Sequence, residues 1–241
     1  IREILIITTP EDSDLFKKLL GDGFQWGVEF SYQTQESPDG LAQAFLIAEE
    51  FINGNKCALI LGDNIFYGPN IDKLLTMANM NEDGATLFIH AAKDPERYGV
   101  AEYINNKVIS IEEKPAKPKS NNVVTGLYFY DNNVVEYAKN LKPSKRGELE
   151  ITDLNNIYLE NNNLFVETLG SDYCWLDAGT YDSLMEAGQF ISSIEKKQNF
   201  KIACLDEIAY KKNWINKAQI IKNANSMKDN DYGFYLNQLI T

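Results

Sequence analysis

Four short stretches of this sequence carry side chains suited to holding anions and cations. In Ala58-Leu59-Ile60-Leu61-Gly62-Asp63-Asn64 an apolar run ends in Gly-Asp. A carboxylate at a strand tip suits magnesium, which prefers oxygen donors and keeps waters and phosphates in its shell. A turn-forming aspartate is the competing reading. Cys174-Trp175-Leu176-Asp177-Ala178-Gly179-Thr180 has the same form, although Asp177 could instead cap a helix beginning near Tyr181. Two such carboxylates make a shared cation more attractive than either does alone. In Ile111-Glu112-Glu113-Lys114-Pro115, Lys114 ends a strand beside a proline. It offers a point charge for a phosphate, or is simply a solvated lysine. In Gln35-Glu36-Ser37-Pro38-Asp39-Gly40-Leu41-Ala42-Gln43-Ala44 a strand gives way to a turn and then a helix near Leu41. Free amides at a helix N-terminus suit an anion or a base edge, and Gly40 lets a ligand approach the backbone. A plain turn with Asp39 as N-cap explains the same residues.

The elements that must position these groups alternate over the first half of the chain. Strands are expected at Glu3–Thr8, which reads as fully buried, and at Val28–Gln33, Cys57–Leu61 and Ala85–Ala91. Helices fit between them at about 12–20, 41–52 and 70–80. This alternation predicts an α/β fold with a Rossmann-like, mixed but mostly parallel sheet flanked by helices. Ligands of such sheets bind beyond the carboxyl ends of the strands. Residues 98–104 and 107–112, separated by Asn105-Asn106, read as a hairpin and hence a small β insertion. A strand at 124–130, helices at 134–140 and 151–159, and strands at 165–169 and 174–176 follow. The rest reads as a helical C-terminal region, with 213–226 too polar to place. The expected division is a core over 1–194 and a helical region over 195–241 packed on it.

Bulk composition removes several classes of function. The 241 residues carry a net charge of −12, which disfavours nucleic acid and anionic membranes as partners. No apolar run approaches the ~18 residues that span a bilayer, and a cytoplasmic protein is expected. Three scattered cysteines without a CxxC pair suggest neither a zinc site nor disulfides. The single histidine, His90, lies in an apolar stretch and reads as a buried strand residue.

Seven stretches in this order resemble the sugar-nucleotidyltransferase (nucleoside-diphosphate-sugar pyrophosphorylase) family: residues 37–44, 61–68, 97–100, 113–115, 125–131, 146–153 and 175–180. The resemblance is to the branch that transfers a thymidylyl group to glucose 1-phosphate. It implies that dTTP and glucose 1-phosphate give dTDP-glucose and pyrophosphate, with Mg2+ as cofactor, in a homotetramer. It further implies that Gln35 and Gly40 contact the thymine, with Pro38 shaping that loop. Asp63 and Asp177 would hold the metal. Tyr98, Gly99, Glu113 and Val124 would line the glucose, Lys114 and Arg146 would grip its phosphate, and Trp175 would pack beside the site.

The attacking sugar phosphate is already an anionic oxygen nucleophile, so no strong general base is required. Alignment and charge neutralisation are what the chain must supply, and in-line displacement is expected. The family's glycine-rich phosphate loop, a following lysine and its first strand do not occur in the numbered sequence. A chain truly starting at Ile1 is therefore expected to be inactive. Uridylyl-, cytidylyl- and guanylyltransferases share the scaffold and remain alternatives, as does a non-catalytic nucleotide-sugar-binding regulator. A dinucleotide-binding oxidoreductase is disfavoured because no GxGxxG follows any strand.

Overall fold

The structure, a computed structural model, describes residues 1–105 and 107–240. Its strands are β1 (Glu3–Thr8), β2 (Glu29–Thr34), β3 (Cys57–Ile60), β4 (Asn64–Tyr67), β5 (Ala85–Ala91), β6 (Gly99–Ile104), β7 (Lys107–Glu113), β8 (Asn122–Tyr130), β9 (Leu164–Leu169) and β10 (Cys174–Asp177). Its helices are α1 (Pro10–Leu20), α2 (Gln43–Ile47), α3 (Glu49–Ile52), α4 (Ile71–Met80), α5 (Val134–Lys139), α6 (Ile151–Glu160), α7 (Tyr181–Gln198), α8 (Leu205–Lys211), α9 (Lys217–Ser226) and α10 (Asp231–Leu239). By internal contacts the chain divides into two compact units: Ile1–Ser37 with Gly188–Thr241, and Pro38–Ala187. The boundary expected at 194/195 follows chain order and does not coincide with this division.

The larger unit is built on a six-stranded sheet ordered β7-β6-β8-β5-β9, with β3 also paired to β8. In β5 the five residues Ala85–Ile89 are all buried. An unbroken apolar run of this kind marks a strand covered on both faces. β8 lies antiparallel to β5 along most of its length. On its other edge it pairs with β6 at Val123 and with β3 from Leu127 to Tyr130. Its two neighbours on that edge therefore part between Val124 and Gly126.

Leu87 and Ile89 of β5, Val134 of α5 and Leu154 and Tyr158 of α6 are each less than 2 % exposed, while Phe88, on the opposite face of β5, packs with Ala78 of α4, Leu127 and Leu169. Each such side chain contributes about 1.5–3 kcal/mol by leaving water. Buried Asp131 is satisfied by the Gly84 amide at 2.8 Å and the Tyr158 hydroxyl at 2.8 Å. A separate two-stranded ribbon pairs β4 with β10, antiparallel, placing Asn64 opposite Asp177.

The smaller unit pairs β1 with β2 in parallel. Asp206, 2 % exposed, accepts hydrogen bonds from Trp26 Nε1, Asn223 Nδ2 and the Tyr232 hydroxyl. These bonds tie a 3-10 turn at Phe24–Trp26 to α8, α9 and α10.

Several expectations are corrected. The sheet is mixed, but among the described strand pairs two are parallel and five antiparallel, so "mostly parallel" does not hold. Alternating strands and helices fix the elements; strand direction is fixed by pairing, and β8 enters the sheet reversed after the β6–β7 hairpin. β1 is half-buried rather than fully buried, with Glu3 exposed. The helix expected over 41–52 breaks at Ala48 into α2 and α3. The polar stretch 213–226 contains α9, capped by Asn216. β4 went unforeseen, because four residues after a Gly-Asp turn carry too little pattern. Of the expected Asn105-Asn106 turn, Asn106 lies outside the described residues, and β6 and β7 flank it as an antiparallel pair.

Candidate active site

A cleft of about 540 Å³ opens where β3 and β6 separate along β8. Eight residues expected at the site line it: Asp63, Tyr98, Gly99, Glu113, Lys114, Val124, Trp175 and Asp177. Leu41, Leu61, Asn64, Arg97, Gly126, Tyr128, Ile151 and Thr152 complete the lining.

The two aspartates are brought together by the β4–β10 ribbon. The Ala178 amide donates to the Asp63 carbonyl at 2.9 Å, closing the ribbon beside both side chains. A Cβ added to Gly179 would lie 3.2 Å from Asp63 Oδ2 and 3.2 Å from Asp177 Oδ1. Glycine here keeps open the space that both carboxylates face. The capping role that competed for Asp177 belongs to Thr180, whose Oγ1 accepts from the Ser183 amide at 3.2 Å. Asp177 accepts a long bond, 3.3 Å, from the Gly179 amide within its own turn, and a hydrogen bond from the Tyr98 hydroxyl.

Two like charges held this close call for a cation. Among the described residues no group of three or more His, Cys, Asp or Glu is placed to hold a metal ion. A two-carboxylate donor set still fits magnesium, which commonly takes one or two carboxylates and completes its shell with water and substrate phosphate. The residues present therefore fit the implied ion as one shared with a phosphate ligand.

The cationic side of the cleft is Lys114. It makes no ion pair with a carboxylate among the described residues. Its backbone has φ of 41° directly before Pro115, with its amide donating to the Tyr98 carbonyl at 3.0 Å. A non-glycine residue held in the left-handed region costs of order 1–3 kcal/mol, and such strain concentrates at functional positions. Arg97 approaches Asp177 at 4.0 Å, pairs with Asp94 at 2.8 Å, and lies over the Tyr98 ring at 5.4 Å from its centroid.

The remaining wall is polar and aromatic. Glu113 Oε2 accepts from Thr152 Oγ1 at 2.6 Å, and a Cβ at Gly99 would lie 3.1 Å from that hydroxyl oxygen. Trp175 packs edge-on against Tyr98 with ring centroids 5.1 Å apart. Burial, and then the charge and hydrogen bond of Asp177, push the Tyr98 hydroxyl up to about 12. Burial also raises Tyr128, with Glu113 adding to the shift. Both phenols therefore face the cleft as neutral donors. His90, expected to be a buried strand residue, lies in β5 but is half-buried, with Nδ1 3.0 Å from the Leu169 carbonyl.

Four expected site residues do not line the cleft. Gln35 belongs to the smaller unit. Pro38 and Gly40 precede the lining residue Leu41. Gly40 has φ of 106°, and a Cβ there would meet the Leu149 carbonyl oxygen at 2.4 Å. What approaches its backbone is the chain at Leu149, whose amide donates to the Asp39 carbonyl. Asp39 is not the N-cap: that position is Ala42, and Asp39 Oδ2 accepts from Gln43 Nε2 at 3.0 Å instead. Arg146 sits among Glu148, Glu150 at 3.4 Å and the lining residue Glu113 at 3.9 Å.

Sequence reasoning assigned no role to Asn64, Thr152, Gly126 or Gly179. Asn64, Gly126 and Gly179 lie inside the motif stretches already singled out, and so does Thr152, but nothing in their spacing marks a contact.

The family model described as Nucleotidyl transferase matches residues 1–194. Glucose-1-phosphate thymidylyltransferase of Neisseria meningitidis is 53% identical over 241 residues, covering 100% of this chain and 84% of that protein. The Mycobacterium tuberculosis protein of the same name is 46% identical over 241 residues, covering 100% and 83%. A crystal structure from Bacillus anthracis, of a protein assigned as a glucose-1-phosphate thymidylyltransferase, is similar with a TM-score of 0.73 at 43% identity, covering 79% of this chain and 76% of that one. A UDP-glucose pyrophosphorylase bound to UDP-glucose shares the fold, with a TM-score of 0.66 at 21% identity and 82% coverage of each chain.

Proposed function

We propose that this chain, which belongs to the nucleotidyl transferase family, forms dTDP-glucose and pyrophosphate from dTTP and glucose 1-phosphate. The observation that carries this reading is the pair of carboxylates converging beside Gly179, in one cleft with a lysine that has no carboxylate partner among the described residues. The choice of thymidine and glucose is supported by the names of relatives 46–53% identical over the whole of this chain.

Each residue has a distinct task. Lys114 binds the phosphate of the sugar phosphate as a point charge, and its fixed backbone limits where that phosphate can sit. Arg146, 3.9 Å from the lining residue Glu113, supports the same phosphate. Glu113, oriented by Thr152, accepts hydrogen bonds from sugar hydroxyls, and Gly99 and Val124 leave room for the ring. Trp175 and Tyr98 close one wall and exclude water from it. Pro38 and Gly40, in the turn before Leu41, shape the loop that holds the thymine. Asp63 and Asp177 would hold Mg2+, which when bound there offsets charge on the phosphates and draws the two polyanions together.

The chemistry itself needs no protein base. An oxygen of the sugar phosphate attacks the α-phosphorus in line with the leaving group. The bond from that phosphorus to the pyrophosphate oxygen breaks, and pyrophosphate departs with the electron pair. The chain contributes alignment and charge stabilisation. This reading includes a catalytic core over 1–194 with an appended helical region, a homotetramer, a cytoplasmic setting and no nucleic-acid partner. No described helix is long and apolar enough to cross a membrane.

Competition between dTTP, UTP, CTP and GTP in one assay tests the base, with pyrophosphate release as the readout. Use of dTTP with inversion at a stereolabelled α-phosphorus is the expected result. Preference for another base, or retention, would overturn the corresponding part.

A further inference from the structure

We propose that Asn64 is a positioning residue that decides which oxygen of Asp63 faces Asp177. Both ends of its amide are engaged. Oδ1 accepts from the Trp175 indole Nε1 at 2.6 Å and from the Gly126 amide at 3.0 Å. Two donors on one atom fix that end of the amide as oxygen. Nδ2 is thereby turned towards Asp63 and donates to its Oδ1 at 2.8 Å. That bond commits Oδ1 and leaves Oδ2, the atom converging with Asp177 Oδ1 on the space beside Gly179.

The same side chain thus links three elements: the β3–β4 turn through Asp63, β10 through Trp175, and β8 through Gly126. The backbone makes room for it. A Cβ at position 126 would lie 2.6 Å from Asn64 Oδ1 and 2.8 Å from Leu61 Cδ1, so only glycine lets the amide dock against β8. Asn64 also stands opposite Asp177 in the β4–β10 ribbon, so its backbone helps set the distance between the carboxylates while its side chain orients that of Asp63.

This inference rests on the reading that Asp63 and Asp177 hold a divalent cation. The full chain is titrated with Mn2+ alone, without nucleotide, and free Mn2+ is followed by electron paramagnetic resonance. Asp63→Asn, Asp177→Asn, Asn64→Ala and Asn64→Asp are compared with the parent, with melting temperatures measured in parallel. Asn64→Asp keeps both acceptor bonds, so its melting temperature should stay within a few degrees of the parent. It replaces the amide donor by an oxygen that repels Asp63 Oδ1. Its Mn2+ affinity should fall by about tenfold or more, the scale of a lost hydrogen bond to a charged group. Counting charges alone predicts the opposite, a gain in affinity. Turnover should fall with little change in the KM for glucose 1-phosphate.

If Asn64→Asp binds Mn2+ as tightly as the parent or tighter, while Asp63→Asn does not, the role of Asn64 is refuted and the cation site stands. If Asp63→Asn binds as the parent does, or the parent does not bind, the cation reading itself fails. A collapse in the melting temperature of Asn64→Asp would show the donor to be structural and would also overturn the proposal. Should Asn64→Ala not fold, Asn64→Asp decides the matter alone.

Discussion

Replacing Asp63 by Asn removes one charge and almost nothing else, and the structure says which way the new amide will turn. Asn64 Nδ2 donates to Asp63 Oδ1 at 2.8 Å and cannot reverse, because Asn64 Oδ1 is held by Trp175 and Gly126. The substituted amide must therefore offer its oxygen to Asn64. Its NH2 group then occupies the place of Oδ2, facing Asp177 and the space beside Gly179. A cation site loses a ligand atom as well as a charge, and gains a donor where an acceptor is needed. Loss of a preorganised electrostatic contact of this kind costs ~10²- to 10³-fold in turnover, or roughly 2.7–4 kcal/mol of barrier. Folding stability should be unchanged or slightly higher, since the bond from Asn64 survives and the repulsion of Asp177 is relieved. The assay is pyrophosphate release at saturating dTTP and glucose 1-phosphate over a magnesium titration, with thermal melting alongside. Near-parental turnover at saturating magnesium would refute the reasoning. So would a turnover loss that tracks a large loss of melting temperature.

Lys114→Ala should raise the KM for glucose 1-phosphate by about tenfold or more, as a charged contact is lost; an unchanged KM would move the phosphate site elsewhere. Lys114→Gly should show the same KM defect with a melting temperature above that of Lys114→Ala, because glycine relieves the positive φ. Gly40→Ala should destabilise by at least ~2 kcal/mol in urea unfolding, from the combination of φ and the approach of Leu149. A mild effect there would show that the loop can move. Tyr98 has its pKa raised from 10.0 to about 12, so its contribution to stability is fully present below pH 10 and is lost as pH rises towards 12. Absorbance titration near 295 nm should show one tyrosine fewer resisting ionisation at pH 11 in Tyr98→Phe; an unchanged titration would place Tyr98 in water.

The local elements were largely legible because their causes are local. β1 and β5 begin and end where the apolar runs do, and α4, α5 and α6 match to within a residue or two. Asp63 and Asp177 stood out because a carboxylate where an apolar strand ends has few reasons to be there other than a ligand or a turn, and Lys114 because it ends a strand beside a proline. Asn64 was invisible for the opposite reason. An asparagine after an aspartate is ordinary turn composition, and its role exists only once Trp175 and Gly126 are folded against it. Gly40 shows a third case: its type was noticed, but the neighbour that demands it, Leu149, lies far along the chain.

The sequence by itself determined the α/β class, most of the element boundaries, the acidic surface and, through seven ordered motifs, the family. Only the tertiary structure decided that β8 runs against β5, that its two partners on one edge part at Val124–Gly126, and that two distant aspartates meet beside Gly179. The physical reason is range. Backbone preference and hydrophobic period act over a few residues and are written in each segment. Strand direction and carboxylate convergence depend on pairing between segments that carry no mark of one another until the chain has folded.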